Sequence, residues 1–369
     1  MTRLVAVGLI FLAAASARAQ ECAPATWQRL GGARPMAAAP DALLDEIAKR
    51  DVVLLGELHE DADHHRWQLD TLAALHSRRP DMVIGFEMFP RRVQPVLDRW
   101  VAGDLTPEQL LAQTRWDEVW NVPAELYLPL FEFARLHRVP MVALNVERKL
   151  IQTVAAKGWD AVPVAEREGV SRPAAAPQAY VEELQRVYRD HGERTPFKNF
   201  VEAQQTWDRA MAEGLAREPR SRLAVGVMGA GHVRYGYGVP LQLRDLGVRR
   251  IATLLPVGPN ECRSLAAGVA DAVFVLPPGA EAKPPPRLGV QLAQDGESVR
   301  LAEVLAGSLA ERSGLKKGDI VAAAAGKPLR RVADLVALVR AQPAGTWLPL
   351  ELERGGARHE VVVKFPPAP

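Results

Sequence analysis

Residues 52–65 read VVLLGELHEDADHH, and this stretch decides how the rest of the chain is understood. Four consecutive apolar residues run into Gly56, and then into four acids and three histidines between positions 57 and 65. An unbroken apolar run marks a strand buried on both faces. A helix is expected from about residue 63 to 76, with Leu69, Leu72 and Ala73 on one side. Strand, glycine, polar cluster and helix together are the repeating unit of an α/β sheet. A surface loop uses carboxylates for solubility, but three imidazoles point to nitrogen ligands or a proton carrier.

The same grammar recurs along the chain. Apolar runs at 82–86, 141–144, 223–228 and 251–255 alternate with helical stretches near 93–101, 127–137, 151–156, 179–188 and 197–215. The pattern predicts an α/β fold, a mostly parallel sheet flanked by helices. Ligands of such sheets sit outside the carboxyl ends of the strands. The residues that follow the runs there are Glu57 and His59, then Glu87, then Asn145 and Glu147, then Gly229 to His232.

Gly56-Glu57-Leu58-His59 and Gly229-Ala230-Gly231-His232 share the form G-x-x-H. Gly56 and Gly229 would let the chain turn with positive φ or let a ligand approach the backbone. His59 and His232 are the expected metal ligands, with Glu57 or Glu87 completing a divalent transition-metal shell or serving as the general base on water. A plainer arrangement, in which the histidines only hydrogen-bond across the sheet edge, fits the same residues. His64 and His65 open the following helix, where the positive end of the helix favours the neutral, ligating imidazole. Tyr235 and Tyr237, on the glycine-rich run after His232, are further haem-binding candidates, because tyrosinate and histidine both ligate haem iron. On the helix near 197–215, Gln204 and Asp208 are placed at the edge of the site, while Phe200, Trp207 and Met211 form a core stripe. An apolar slot for haem would draw on Phe86, Phe89, Trp116, Trp120 and Tyr235.

The chain has 369 residues, 48% hydrophobic and 24% charged, which is globular and long enough for two domains. A formal charge of +2 without basic blocks gives no sign of a nucleic-acid partner. Residues 1–19 have the anatomy of a signal peptide: Arg3, an apolar run, and Ala17-Arg18-Ala19 before the cut. An exported, periplasmic protein, soluble after cleavage, is expected. Cys22 and Cys262 are the only cysteines, and an oxidising compartment would join them. Glu21 stands where a lipid-anchor signal needs a small residue before Cys22, so membrane attachment is not expected. The proline cluster LPPGAEAKPPPR at 276–287 marks the linker, giving domains at 20–276 and 287–366 around residues 277–286.

GELHEDADHH, GFEMF, VEAQQTWDRAMA and VMGAGHVRYGYGVP together resemble the ChaN family of bacterial haem-binding proteins, within the superfamily of the Tiki proteases and erythromycin esterase-like enzymes. The resemblance covers roughly residues 43–255. It implies an α/β domain in which His59, His232 and Glu87, with Glu57 beside them, face a common site. Its ChaN relatives imply haem binding and iron uptake; its Tiki-like relatives imply a metal-dependent hydrolase. Residues 287–366, with SGLKKGDI at 313–320, resemble a bacterial PDZ domain. That resemblance implies a peptide or protein C-terminus adding as a strand at Leu288, Gly289 and Val290. In that domain Ala325 stands where an asparagine before Gly326 is usual. Two functions are therefore expected: a haem or iron carrier docked through its PDZ domain, or a metal-assisted hydrolase whose PDZ domain presents substrate.

Overall fold

The computed structural model describes residues 22–32, 34–120, 122–190, 195–278 and 286–367. The leader expected at 1–19 and most of the expected linker lie outside them. Two compact units divide between residues 279 and 280.

The first unit is built on one eight-stranded sheet. Its strands are β1 (Thr26–Arg29), β2 (Met36–Ala38), β3 (Val52–Glu57), β4 (Met82–Pro90), β5 (Met141–Asn145), β6 (Leu223–Gly229), β7 (Ile251–Val257) and β8 (Ala272–Val275), in the order β2-β1-β8-β7-β3-β6-β4-β5. The six strands from β8 to β5 are parallel, and β1 and β2 add an antiparallel edge. β3 and β4 are buried at every position because each has strands on both sides and helices on both faces.

Alternation sorts their side chains. Val53 and Leu55 of β3 join Ile84, Phe86, Val225 and Leu254 in one core, under the helices Ala62–Arg78, Gln94–Ala102 and Leu128–Leu136. Val52 and Leu54 face the opposite core, with Met228, Leu255 and Met211 of the helix Phe197–Ala216. The edge strands β1 and β2 carry no long apolar run, and the sequence pattern did not reveal them. Asp61 accepts from the backbone of Asp63 and His64 and so starts the helix Ala62–Arg78, as its N-cap.

At the carboxyl edge β4 is irregular. Phe86 pairs with Ala143 and Pro90 with Asn145, so four residues of β4 cover the length of two on β5. Such a bulge re-aims side chains. It leaves Glu87 at the sheet edge, and Asn145 Nδ2 donates to the Glu87 carbonyl at 2.8 Å. Cys22 and Cys262 are joined, both buried, with Cα atoms 5.8 Å apart, which ties the strand-side N-terminal segment to the helix Pro259–Ser264 that follows β7.

The second unit is an antiparallel sheet of β9 (Val290–Asp295), β10 (Ser298–Val304), β11 (Ile320–Ala324), β12 (Lys327–Pro328), β13 (Trp347–Arg354) and β14 (Ala357–Lys364), ordered β14-β13-β11-β10-β9 with β12 on β11. Leu315 packs inward, and the helix Val332–Arg340 contributes Leu335 and Val339 to the core. The buried Asp319 anchors the turn into β11, accepting from Lys316 N and from both Arg354 Nε and Nη2.

Candidate functional site

The carboxyl edge of the parallel sheet gathers two histidine–carboxylate clusters. In the first, Glu57 ends β3 with its side chain fully buried. Its Oε1 accepts from the Tyr127 hydroxyl at 2.6 Å and from His59 Nδ1 at 2.8 Å, and His65 Nδ1 lies 3.1 Å from its Oε2. Burial pushes the Glu57 carboxyl up, but His59, His65 and Tyr127 together outweigh it and hold it down at about 2. Tyr127 is raised in return, by burial and by the Glu57 charge.

In the second cluster Glu87, also buried, accepts from Gly229 N at 2.6 Å through Oε2, while His232 Nε2 lies 3.4 Å from its Oε1. His232 Nδ1 meets Asp208 Oδ1 at 2.7 Å, and Tyr180 donates to Asp208 Oδ2 at 2.8 Å. Burial lowers the His232 pKa, yet Glu87 and Asp208 on either side of the ring raise it to about 10. Burial raises Asp208, whereas the His232 charge brings Glu87 below its usual value against burial.

Hydrogen-bond occupancy distinguishes the four histidines. His232 has a carboxylate at each nitrogen, so it is an imidazolium and offers no lone pair. His65 lies 3.0 Å from the His59 carbonyl through Nε2 and faces Gln68 Oε1 and Glu57 through Nδ1. Gln68 is oriented by its own bond to the Leu55 carbonyl. His65 is therefore also charged: burial lowers its pKa, but the contacts with Glu57 win, contrary to the neutral form expected from its place at the helix start. His64 Nδ1 accepts from Leu58 N at 2.9 Å, its proton sits on Nε2, and burial keeps it neutral. Only His59 differs. Its Nδ1 is engaged by Glu57, and its Nε2 meets no hydrogen-bond partner among the described residues, on a side chain that is 37% exposed. Burial lowers its pKa, but Glu57 and Glu87 raise it overall, so a ligand at Nε2 competes with a proton there.

The surroundings of His59 are apolar. Trp120 meets its ring edge-on at 4.7 Å, and Leu58 beside it is 58% exposed. A Cβ at Gly229 would stand 3.0 Å from His59 Cε1 and 3.2 Å from Nε2, so the glycine admits the imidazole. Gly229 has φ −58°, so close approach rather than positive φ is its reason. Gly56 is likewise a packing glycine: a Cβ there would meet Leu255 at 2.4 Å and Val233 at 2.8 Å.

The other expected residues fall elsewhere. Phe86, Phe89 and Trp116 pack on one another and on Phe131 in the closed core, so they line no slot. Tyr235 and Tyr237 stack together, and Tyr237 also lies against Tyr180, on the Asp208 side of the second cluster. Asp208 reaches the site; Gln204 makes no hydrogen bond to it among the described residues. Among the described residues no three His, Cys, Asp or Glu side chains are grouped to hold a metal ion. Glu57 Oε1 and Glu87 Oε2 are turned to protein donors, while Glu57 Oε2 is buried without a hydrogen bond. Tyr127 and Tyr180 were missed from sequence because each is a single aromatic residue on a helical stretch, without a motif.

In the second unit, a cavity of about 340 Å³ runs between β9 and the helix Val332–Arg340, lined by Leu288, Val290, Leu292, Leu335 and Val339, with Arg340 at its side. Gly289, at φ +78°, leaves no room for a side chain, since a Cβ would stand 2.4 Å from Ser308 Cβ.

An α/β sheet presenting one open imidazole at its carboxyl edge, followed by a small β unit with an apolar groove, defines the class of protein. Residues 43–243 match the family described as haem-binding uptake, Tiki superfamily, ChaN, and the chain belongs to that family. Residues 300–354 match the PDZ domain model. The fold is similar to the solved structure described as cofacial haem binding to ChaN of Campylobacter jejuni, at 19% identity and TM-score 0.53 over 68% of this chain and 96% of that one. The HtrA3 PDZ domain bound to a phage-derived ligand is 22% identical over 21% of this chain and 82% of that one, with TM-score 0.20. A serine endoprotease from Yersinia pestis is 23% identical over 22% of this chain and 29% of that one, also at TM-score 0.20. No curated protein sequence matched the chain.

Proposed function

We propose that this chain is an exported haem-binding protein that holds haem through His59 and docks through its PDZ unit onto an apolar C-terminal peptide. The observation that carries the haem reading is the one unengaged ring nitrogen. A metal that activates water needs three or four protein ligands, and His65 and His232 have no lone pair to give. A histidine holding haem iron would need one nitrogen, with a carboxylate behind the ring to orient it and raise its basicity, and Glu57 is so placed. Trp120 and Leu58 supply apolar contact for a flat ligand. Bound haem supplies a redox-active iron; the protein's part is to orient His59 and keep its Nδ1 protonated. Export is supported by the leader-like sequence before Gln20 and by the disulfide, a bond of oxidising compartments.

The test is a haemin titration of the purified chain, followed by its Soret band. Wild type is expected to bind, His59→Ala to lose binding, and Glu57→Gln to lose roughly 10–100-fold in affinity. His76→Ala, remote from the site, should match wild type. Equal binding by His59→Ala and wild type overturns the assignment.

For the PDZ unit the supporting features are the apolar groove, the edge strand β9 and the nearby Arg287 and Arg340. Peptides ending in a free apolar residue are expected to bind, and their C-terminally amidated forms to bind weakly. Indifference to amidation would remove the C-terminal mode.

A further inference from the structure

Three of the chain's five tyrosines stand in one file. Tyr235, 38% exposed, stacks on Tyr237 with 5.5 Å between centroids and 29° between planes. Tyr237 lies 5.6 Å and 32° from the buried Tyr180, whose hydroxyl donates to Asp208 at 2.8 Å. Asp208 in turn meets His232, which faces Glu87. Rings and hydrogen bonds thus run without a gap from an exposed phenol to the inner end of the site.

Two features go beyond the stacking of rings. A phenylalanine at 180 would pack as well but would take from the wholly buried Asp208 Oδ2 its donor, so the innermost phenol of the file is held against a carboxylate that can receive its proton. Tyr235 holds φ +57°, a conformation that costs energy in an aromatic residue and persists only where its surroundings impose it.

We propose that Tyr180, Tyr237 and Tyr235 form a relay that carries an oxidising equivalent from the His232 end of the site to the protein surface. A phenol gives up an electron readily only when its proton has somewhere to go, and Asp208 is in hydrogen-bond contact with the Tyr180 hydroxyl. In the first step the oxidant takes one electron from Tyr180, whose O–H bond breaks as its proton passes to Asp208 Oδ2. Tyr237 then returns an electron to Tyr180, which takes its proton back from Asp208, and Tyr237 releases its own proton to water. Tyr235 repeats this exchange with Tyr237. The sum is one electron gained by the oxidant, and one electron and one proton lost by Tyr235. The natural oxidant is a peroxide acting through bound haem, and for that element alone the relay rests on the haem reading. Tyr235 lines a cavity of about 500 Å³ with Arg244, the ion-paired Arg29, Arg50 and Glu46, and Asp271, where a small one-electron reductant would reach the last ring.

The test uses the full chain with a ruthenium photo-oxidant attached through Leu58→Cys. Leu58 neighbours His59, and the native cysteines are both in the disulfide, so the new thiol is the one labelled. After a flash, a nitroxide trap and peptide mapping locate the radical, and freeze-trapped electron paramagnetic resonance identifies it. The expected result is an adduct at Tyr235 that disappears in Tyr237→Phe, where the tyrosyl signal remains at Tyr180, and slower Tyr180 oxidation in deuterated water. Tyr180→Phe should also abolish the adduct, with near-ultraviolet circular dichroism reporting that the fold is kept. The relay is overturned if the labelled Leu58→Cys chain carrying Tyr237→Phe traps Tyr235 as the labelled parent chain does, or if the labelled parent chain forms no radical at Tyr180, Tyr237 or Tyr235. Repeating the experiment with haem and hydrogen peroxide separates the two readings: trapping with ruthenium but not with haem keeps the relay and removes haem as its oxidant.

Discussion

Glu57 and His232 show how a residue's neighbours set its chemistry. Glu57 is a buried carboxylate kept ionised by three donors, and His232 a buried imidazolium kept charged by two carboxylates. Both stabilise the folded chain, in opposite directions of pH. The folded Glu57 pKa, about 2, lies below the usual glutamate value of 4.5, so its contribution is complete above about 4.5 and is lost as pH falls towards 2. The size is on the order of 3 kcal/mol. His232 is raised from 6.5 to about 10, so its contribution is complete below 6.5 and fades as pH rises through 10. Denaturant unfolding across this range should show a dome, and Glu57→Gln should flatten its acid arm. An acid arm identical in Glu57→Gln would mean that other carboxylates govern acid unfolding.

Elements place these residues. β3 delivers Glu57 and His59, the bulged end of β4 delivers Glu87, and the helix Phe197–Ala216 brings Asp208 to His232 from another layer. Turns are governed by backbone conformation in the same way. Between β11 and β12, Ala325 sits at φ +48° and Gly326 at φ +73°. The left-handed region disfavours alanine by about 1 kcal/mol and suits asparagine. Ala325→Asn is therefore expected to stabilise the second unit by roughly 0.5–1 kcal/mol, measured by its own unfolding transition. A neutral or lower midpoint would show that this turn is relaxed with alanine.

Across the whole molecule, the long-range constraint is the Cys22–Cys262 bond, spanning 240 positions and closing the first unit. In the chain-entropy model a loop of that length is worth about 5.5 kcal/mol. The double variant Cys22→Ala, Cys262→Ala should unfold at correspondingly lower denaturant, with the PDZ transition unmoved. Coincident curves for the oxidised and reduced wild-type chain would show that the bond contributes nothing to folding. No helix among the described residues is long and apolar enough to cross a membrane.

The sequence by itself determined the α/β layering, because unbroken apolar runs alternating with helical periodicity are buried only as parallel strands between helices. It also determined which strand ends meet, since parallel strands place all their carboxyl ends on one edge. GELH, GAGH and SGLKKGDI were legible because each couples a backbone demand to nearby side chains. Only the tertiary structure decided which histidine is open. Whether an imidazole keeps a lone pair depends on partners contributed by other elements: Tyr127 on Glu57, Asp208 on His232, the Leu58 amide on His64. Those contacts span up to 70 positions, carry no local period, and are fixed only when the layers pack.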